Sequence, residues 1–296
     1  LWQGLSGEIP SVLAASGNVL RNLVTMKNKR NFTVRDRLYF EHLKMFEIST
    51  RKITKSVFFA GKKMAAVDSM QRRLDSRGAG FIFSRKIPNS RTLYFRLTEK
   101  GANYLGVKVD TQPICETRLF SLMGRLYFIN RPPVDCDRTL CTNVTLGKFI
   151  GCKELEEGKI RPPRVDFYIE QNNLGDDKKS EIVSGALLPD LNSDVRRIVD
   201  RLVKHSRNFI ARDQFIPLMR AGRFEWTILT GHEAKKDDLL LAANRMINRR
   251  LASQYFKNGL GFDDVPPIRV KVEVIPELAN LRLRKKRKRG DDESPK

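Results

Sequence analysis

The sequence predicts an α+β fold with two domains and a basic tail, and three observations carry that prediction. The chain has 296 residues, enough for two domains. Apolar residues make up 41% of it and include 17 phenylalanines, so it can bury substantial cores. Helical and strand-like apolar spacings both occur along it. The predicted divisions are an upstream or added segment 1–25, a first domain 26–112, a linker helix 113–133, a second domain 134–276 and a disordered tail 277–296.

Positive charge is concentrated in two blocks of the chain, whose formal net charge is +22. Residues 26–112 hold 20 Lys and Arg against 7 Asp and Glu, whereas residues 113–281 hold 27 against 23. The last 15 residues hold eight basic and three acidic side chains. A charge that served solubility alone would be spread evenly, so the blocks indicate a polyanionic partner, namely a nucleic acid.

The start of the folded chain is predicted from a change in composition. Residues 1–25 lack an initiating methionine and the basic start and apolar core of a signal peptide. Met26 then opens a basic run, so we expect the natural protein to start there.

Two helices open the first domain. Thr33 and Asp36 have the spacing of a capping box, and the helix that follows is predicted to turn one apolar face inward. Ser49 or Thr50 caps a second helix that ends at Gly61. The predicted inward side chains are Val34, Leu38, Leu43 and Phe46 of the first helix and Ile53, Val57 and Phe58 of the second.

A third helix is predicted over residues 62–74, and its two faces differ in chemistry. Ala66, Val67, Met70 and Leu74 form its apolar inner face. A short, stiff helix with cations outward can enter a DNA major groove about 12 Å wide. The outward side chains, and hence the predicted DNA contacts, are Lys62, Lys63, Ser69, Arg72 and Arg73.

A hairpin and a closing helix complete the domain. Residues 81–85 and 92–97 read as strands, joined by a turn-rich tip over 86–91. The cations predicted to contact DNA here are Lys86 and Arg91 of the tip and Arg85 at the end of the first strand. Thr98 caps a final short helix. Three helices, a basic hairpin and a closing helix are the order of a winged helix-turn-helix, which predicts double-stranded DNA as partner. A winged helix used for protein contact is the alternative, but the cations on the third helix argue against it.

The second domain is predicted to mix helices and strands. A helix over 116–129 carries an apolar stripe that suits either a dimer interface or packing onto the next domain. Residues 134–164 give no clear pattern. Strands are predicted at 165–170, 180–184, 224–230 and 268–274, and helices from Ser193 or Asp194 to Phe209 and over 234–256.

Several chemistries have no support in the sequence. The four cysteines form no C-x-x-C pair, so free thiols in a reducing cytoplasm are expected. A Gly-rich phosphate loop with Lys is missing, which argues against nucleotide hydrolysis. No apolar run reaches 18 residues, so we expect no membrane span and a cytoplasmic protein at plasmid or nucleoid DNA.

The tail is predicted to act as an electrostatic arm on DNA phosphates. Seven of the eight residues 282–289 are cationic, so the segment cannot fold alone. The same run would read as a nuclear localisation signal in a eukaryotic protein. The tail residues predicted to contact DNA are Arg284, Lys285, Lys286 and Arg287.

Three motifs of the first domain carry a family resemblance: Phe-Thr-Val-Arg-Asp-Arg at 32–37, Met-Gln-Arg-Arg-Leu at 70–74, and Tyr-Phe-Arg-Leu-Thr-Glu-Lys-Gly at 94–101. Together they resemble winged-helix proteins of plasmids and mobile elements, above all the replication-relaxation family. The resemblance implies replication initiation or DNA mobilisation, with relaxosome or replication proteins, and possible homodimers, as further partners. It also implies a second domain that is a degenerate, nuclease-like α/β fold.

The candidate nuclease residues are Asp166, Glu170 and Glu181. A restriction-type site needs carboxylates for Mg²⁺ and a Lys two residues after the second acid. Val183 occupies that Lys position, so we expect a binding protein that needs no cofactor. A Mg²⁺-dependent nickase or relaxase built on Asp166 and Glu181 is the alternative, and a plain transcriptional regulator is a third.

Overall fold

The computed structural model describes most of the chain and leaves its two ends aside. The predicted segment 1–25 and the predicted DNA-binding tail residues lie outside the described part. None of the helices in that part combines the length and apolar character that a bilayer crossing requires. The described residues are 32–75, 78–88, 90–160, 164–172, 181–191, 193–210, 215–257, 268–279 and 281.

Within these residues the fold is mixed α+β, with eleven α-helices and two sheets. It divides into two compact units, which we call unit 1 and unit 2. Among the described residues, unit 1 contains those of 32–83 and 95–110, and unit 2 contains those of 84–94 and 111–281. The division passes through the predicted hairpin, so residues 84–94 group with unit 2 although the sequence places them in the first domain.

Unit 1 follows the order of elements predicted for the first domain. The helix that starts after Thr33 has the predicted capping box: Asp36 N–H donates to Thr33 Oγ1 at 3.2 Å, and Thr33 N–H donates to Asp36 Oδ2 at 2.9 Å. A three-stranded sheet runs in the order β1-β3-β2. The elements, with the hairpin strands included, are α1 Val34–Phe46, β1 Ser49–Thr50, α2 Arg51–Phe58, α3 Met64–Leu74, β2 Ile82–Lys86, β3 Leu93–Leu97 and α4 Glu99–Tyr104.

Two predicted inward side chains are exposed instead. Val34 is 60% exposed, because the inner position of the first turn of α1 is taken by buried Asp36. Val57 is 42% exposed, and Thr54 helps to complete the inward face of α2 through a buried hydrogen bond. The rest of the core is aromatic and aliphatic, with Tyr39, Phe40, Leu43, Val67, Met70 and Leu74 at its centre.

Unit 2 contains a five-stranded sheet in the order β4-β5-β6-β7-β8. The first three strands pair antiparallel, and the last three pair parallel. Its strands are β4 Cys136–Leu140, β5 Asp166–Asn172, β6 Glu181–Pro189, β7 Phe224–Thr230 and β8 Arg269–Val274. Its helices are α5 Glu116–Asn130, α6 Asn143–Ile150, α7 Lys153–Glu156, α8 Val195–Ile210, α9 Ile216–Arg220, α10 Lys236–Lys257 and α11 Pro276–Ala279.

Helices cover both faces of this sheet. Side chains alternate along a strand, so Phe167 and Tyr168 point to opposite faces. Phe167, Trp226 and Ile228 belong to the core that α8 and α10 complete. On the other face, Phe128 of α5 packs its ring edge-on against Tyr168, with the ring centroids 4.8 Å apart. Unit 2 is therefore a layer of strands between two layers of helices.

The four cysteines are free thiols, as predicted. Cys136 and Cys152 are buried, Cys141 is half-buried and Cys115 is exposed. Burial raises the pKa of Cys141 to about 12, which keeps that thiol protonated.

Candidate nucleic-acid interface

Unit 1 presents a cationic surface along α3, which we call the α3 face. It consists of Lys62, Lys63, Ser69, Arg72 and Arg73, all of them exposed. The helix begins at Met64 rather than at residue 62, because Gly61 has φ +72° and Lys63 is still extended. The two lysines therefore precede the helix, and the arginines lie in its last turn.

Two ion pairs join α3 to the other two helices. Arg73 donates to Asp36 at 2.5 Å while 48% of the Arg73 side chain stays exposed, so it is partly committed to the N-terminus of α1. Arg51 of α2 pairs with Asp68 of α3, also at 2.5 Å. Among the described residues, Arg72 has no carboxylate as ion-pair partner, and its one hydrogen bond there is a long contact of 3.4 Å to Asp68 O. Arg72 is therefore the α3 arginine best placed to reach a ligand.

A buried hydrogen-bond network links α1, α2 and α3 beneath that face. Gln71 donates to the Tyr39 hydroxyl at 3.3 Å and to Thr54 Oγ1 at 3.4 Å. Ser49 Oγ lies 3.2 Å from both Thr54 Oγ1 and His42 Nε2. Hydrogen bonds in a buried network are directional, so the network sets the orientation of α3 against the other two helices.

The buried histidine of this network makes the stability of unit 1 dependent on pH. Burial lowers the pKa of His42 to about 4. The unfolded chain therefore takes up a proton below pH 6.5, the ordinary histidine value, before the folded chain does. We expect the free energy of unfolding to fall as pH drops from about 6.5 to 4, by about 3 kcal/mol at most. Urea unfolding across that range measures it.

His42→Gln is the matched control for this prediction, since glutamine keeps a hydrogen-bonding group toward Ser49 but does not titrate. The variant should lose most of the slope of stability against pH in unit 1. An equal slope in both proteins would assign the effect to other titrating groups and contradict the prediction.

The hairpin of β2 and β3 carries three more cations that the sequence predicts to contact DNA. Arg85, Lys86 and Arg91 are exposed, while Ile87 among them is buried. The tip closes with Ile87 N–H donating to Thr92 O at 2.9 Å. Because residues 84–94 group with unit 2, the tip and the α3 face belong to different units.

The structure does not bring the candidate nuclease carboxylates together. Asp166 pairs in register with Leu187, whereas Glu181 pairs with Asn172 at the opposite end of the β5–β6 hairpin. Along the strands, Asp166 and Glu181 are therefore six residues apart, or about 20 Å at the rise of a strand. Asp166 and Glu170 share a face of β5, as predicted, but lie four residues apart, or about 13 Å. Asp166 therefore cannot share one ion with either glutamate.

Glu170 is also neutralised by its neighbours. Arg138 Nε donates to it at 2.7 Å, and Lys271 Nζ lies 3.2 Å away. Burial alone would raise the pKa of Glu170, but Arg138 and Lys271 hold it below its usual value. Val183 fills the position where a catalytic Lys is expected. Among the described residues, no group of three or more His, Cys, Asp or Glu could hold a metal ion.

Sequence reasoning missed two sets of basic side chains. Arg51 and Lys52 are exposed at the start of α2, and the signal for them was their position directly after the Thr50 cap. Arg201 and His205 of α8 lie with Arg164 at a cavity in unit 2. The i, i+4 spacing of Arg201 and His205 put both on one helix face, but only the fold brings Arg164 to them.

Comparisons with protein-family models, with curated proteins and with solved structures found no significant match to this chain. The resemblance to the replication-relaxation family stays a prediction.

Proposed function

We propose that unit 1, with the hairpin, is a winged helix-turn-helix that binds double-stranded DNA with α3 in the major groove. The observation that carries the proposal is the α3 face, where five exposed polar side chains, four of them cationic, lie on or just before one helix. Cations contact phosphates, and an arginine such as Arg72 can donate two hydrogen bonds to a guanine edge.

The order of elements supports this proposal. Three helices come first, a hairpin follows, and β3 pairs with β1 as well as with β2. At 11 residues α3 is about 16 Å long, and it packs its apolar side on α1 and the sheet. Exposed Lys52 and Arg51 at the start of α2 suit the backbone contacts that the first helix of the motif makes.

The biological setting that we propose is a specific DNA site of a plasmid or mobile element, where the protein acts in mobilisation or replication initiation. The motif resemblance supports this setting. Unit 2 fits the nuclease-like α/β layout that the resemblance implies, since helices cover both faces of its mixed sheet. We propose that unit 2 serves assembly or partner contact, because the separated carboxylates give the nickase alternative no support.

Arg72→Ala tests the proposed reading of DNA. The duplex bound by the full chain would first be selected from a randomised pool. Loss of a bidentate base contact should weaken binding to that duplex by about 1–3 kcal/mol and relax the sequence preference at one position. Lys63→Ala should instead weaken binding to all sequences alike and reduce the salt slope by about 1.

Arg249→Ala is the matched control, because Arg249 is an exposed arginine on α10 of unit 2. It should leave the affinity for the selected duplex unchanged. If Arg249→Ala abolished specific binding and Arg72→Ala did not, the reading element would be in unit 2 and the proposal would be wrong.

A further inference from the structure

A cavity of about 420 Å³ opens in unit 2 at the edge of the sheet where β5 begins and β6 ends. The carboxyl ends of the parallel strands β6 and β7 meet at this edge, which is where α/β sheets place their ligands. Its volume lies within the range of small-molecule sites. Leu187, Leu188 and Pro189 give it an apolar wall.

The polar side of the cavity has an excess of positive charge. Arg164, Arg201 and His205 line it, and Asp166 is its one acidic lining residue. Asp166 is already paired, since Arg125 Nη1 donates to it at 2.9 Å. Arg164 has no hydrogen bond or ion pair with any residue that the structure describes, and Arg201 donates only to Pro189 O, at 3.0 Å.

Burial lowers the pKa of Arg201, and the charge of Asp190 acts against that shift. Asp190 is fully buried, and its carboxylate accepts hydrogen bonds from Thr230 Oγ1 at 2.9 Å and from Lys235 Nζ at 3.3 Å. The pKa of His205 is lowered by burial and then by the charges of Arg201 and Lys204. Exposed Arg164 and half-buried Arg201 therefore line an open cavity, and neither forms an ion pair with a carboxylate that the structure describes.

We propose that this cavity binds a phosphomonoester, the terminal phosphate of a nucleotide or of a nucleic-acid strand. Two arginines match the two charges of a phosphomonoester, and a guanidinium presents two parallel N–H donors to phosphate oxygens. The apolar wall accommodates the attached sugar or base. This site does not depend on duplex binding by unit 1.

The test measures binding of a dye-labelled, 5′-phosphorylated trinucleotide to the full chain by fluorescence anisotropy. The 5′-phosphorylated strand should bind about tenfold more tightly than the same strand with a 5′-hydroxyl. Thymidine monophosphate, added as a competitor, distinguishes the two possible carriers of the phosphate, a free nucleotide and a strand end. Equal competition identifies a free nucleotide as the ligand, and weaker competition identifies a strand end.

Four variants make the test specific. Arg201→Ala should cost about tenfold in affinity, and Arg164→Ala should do the same without disturbing any described contact. Arg207→Ala, which removes an exposed cation of α8 outside the cavity, should have no effect. Asp166→Asn should strengthen binding, because it removes the one carboxylate that lines the cavity.

Three results would overturn the proposal. The first is equal binding of the phosphorylated and hydroxyl strands. The second is a loss in Arg207→Ala that equals the loss in Arg164→Ala, which would indicate surface charge alone. The third is weaker binding in Asp166→Asn together with a requirement for Mg²⁺, which would indicate a cation site. Arg72→Ala should leave trinucleotide binding unchanged, so failure of the duplex proposal and failure of this one can be told apart.

Discussion

Arg138→Ala is expected to lower the free energy of unfolding of unit 2 by about 3–5 kcal/mol. The Arg138 side chain is 0% exposed and joins three parts of unit 2. Its Nε donates to Glu170, and its Nη1 also donates to the backbone oxygen of Phe128 at 3.0 Å. Its Nη1 and Nη2 donate to the two carboxylate oxygens of Glu273, at 2.8 and 2.7 Å. Alanine at position 138 would leave the buried Glu170 carboxylate with Lys271 and without its arginine partner. Urea unfolding followed by circular dichroism measures the loss.

Arg131→Ala is the matched control for Arg138→Ala. Like Arg138, Arg131 forms an ion pair with a glutamate, in this case Glu277 at 2.6 Å, but the Arg131 side chain is 43% exposed. Water screens that pair, so the variant should cost about 0–1 kcal/mol. Equal losses in the two variants would show that burial does not strengthen the Arg138 network, and the prediction would be wrong.

Gly185→Ala is the second variant with a large expected effect. A Cβ at this position of β6 would lie inside contact distance of the Tyr168 ring on the neighbouring strand. Tyr168 cannot swing away, because its hydroxyl donates to Glu225 Oε1 at 2.6 Å and lies 2.6 Å from Thr227 Oγ1. We expect a loss of about 3 kcal/mol, the upper part of the overpacking range.

Gly124→Ala provides the comparison for this prediction. Its added Cβ would lie 3.2 Å from Leu229 Cδ1, a contact that a shift of a few tenths of an ångström relieves. Alanine also favours a helix over glycine by about 1 kcal/mol, so Gly124→Ala should be nearly neutral. In Gly185→Ala/Tyr168→Leu the clash is relieved, so the double variant should cost less than the sum of its parts. Additive losses would contradict the clash.

Most of the fold was predictable from local patterns. Thr33 and Asp36 identified the start of α1, and alternation over 268–274 identified β8. The segment 134–164 was unreadable because its elements are short and lack a clear period. It contains β4, α6 and α7. Cys136–Leu140 carries Asp137 and Arg138 in its middle, and nothing local indicates that Arg138 is buried by pairing with residues far along the chain.

The candidate sites were predictable only in part. The outward arginines of α3 follow from a helical period within one element, so the sequence located them, whereas Lys62 and Lys63 precede the helix. The position of Glu181 relative to Asp166 depends on strand register, which one sequence does not specify. The cavity cations come from a loop before β5 and from α8, and only the sheet brings them together.

The uneven burial of the thiols has a practical consequence for experiments on this protein. Thiol reagents attack the thiolate, which must be both formed and reachable. Cys141 stays protonated and Cys136 and Cys152 are enclosed, so a maleimide dye should attach first at Cys115, just before α5. The natural chain therefore offers one preferred labelling position without any substitution. A fluorophore there would follow binding to duplexes or trinucleotides while every side chain discussed above stays intact.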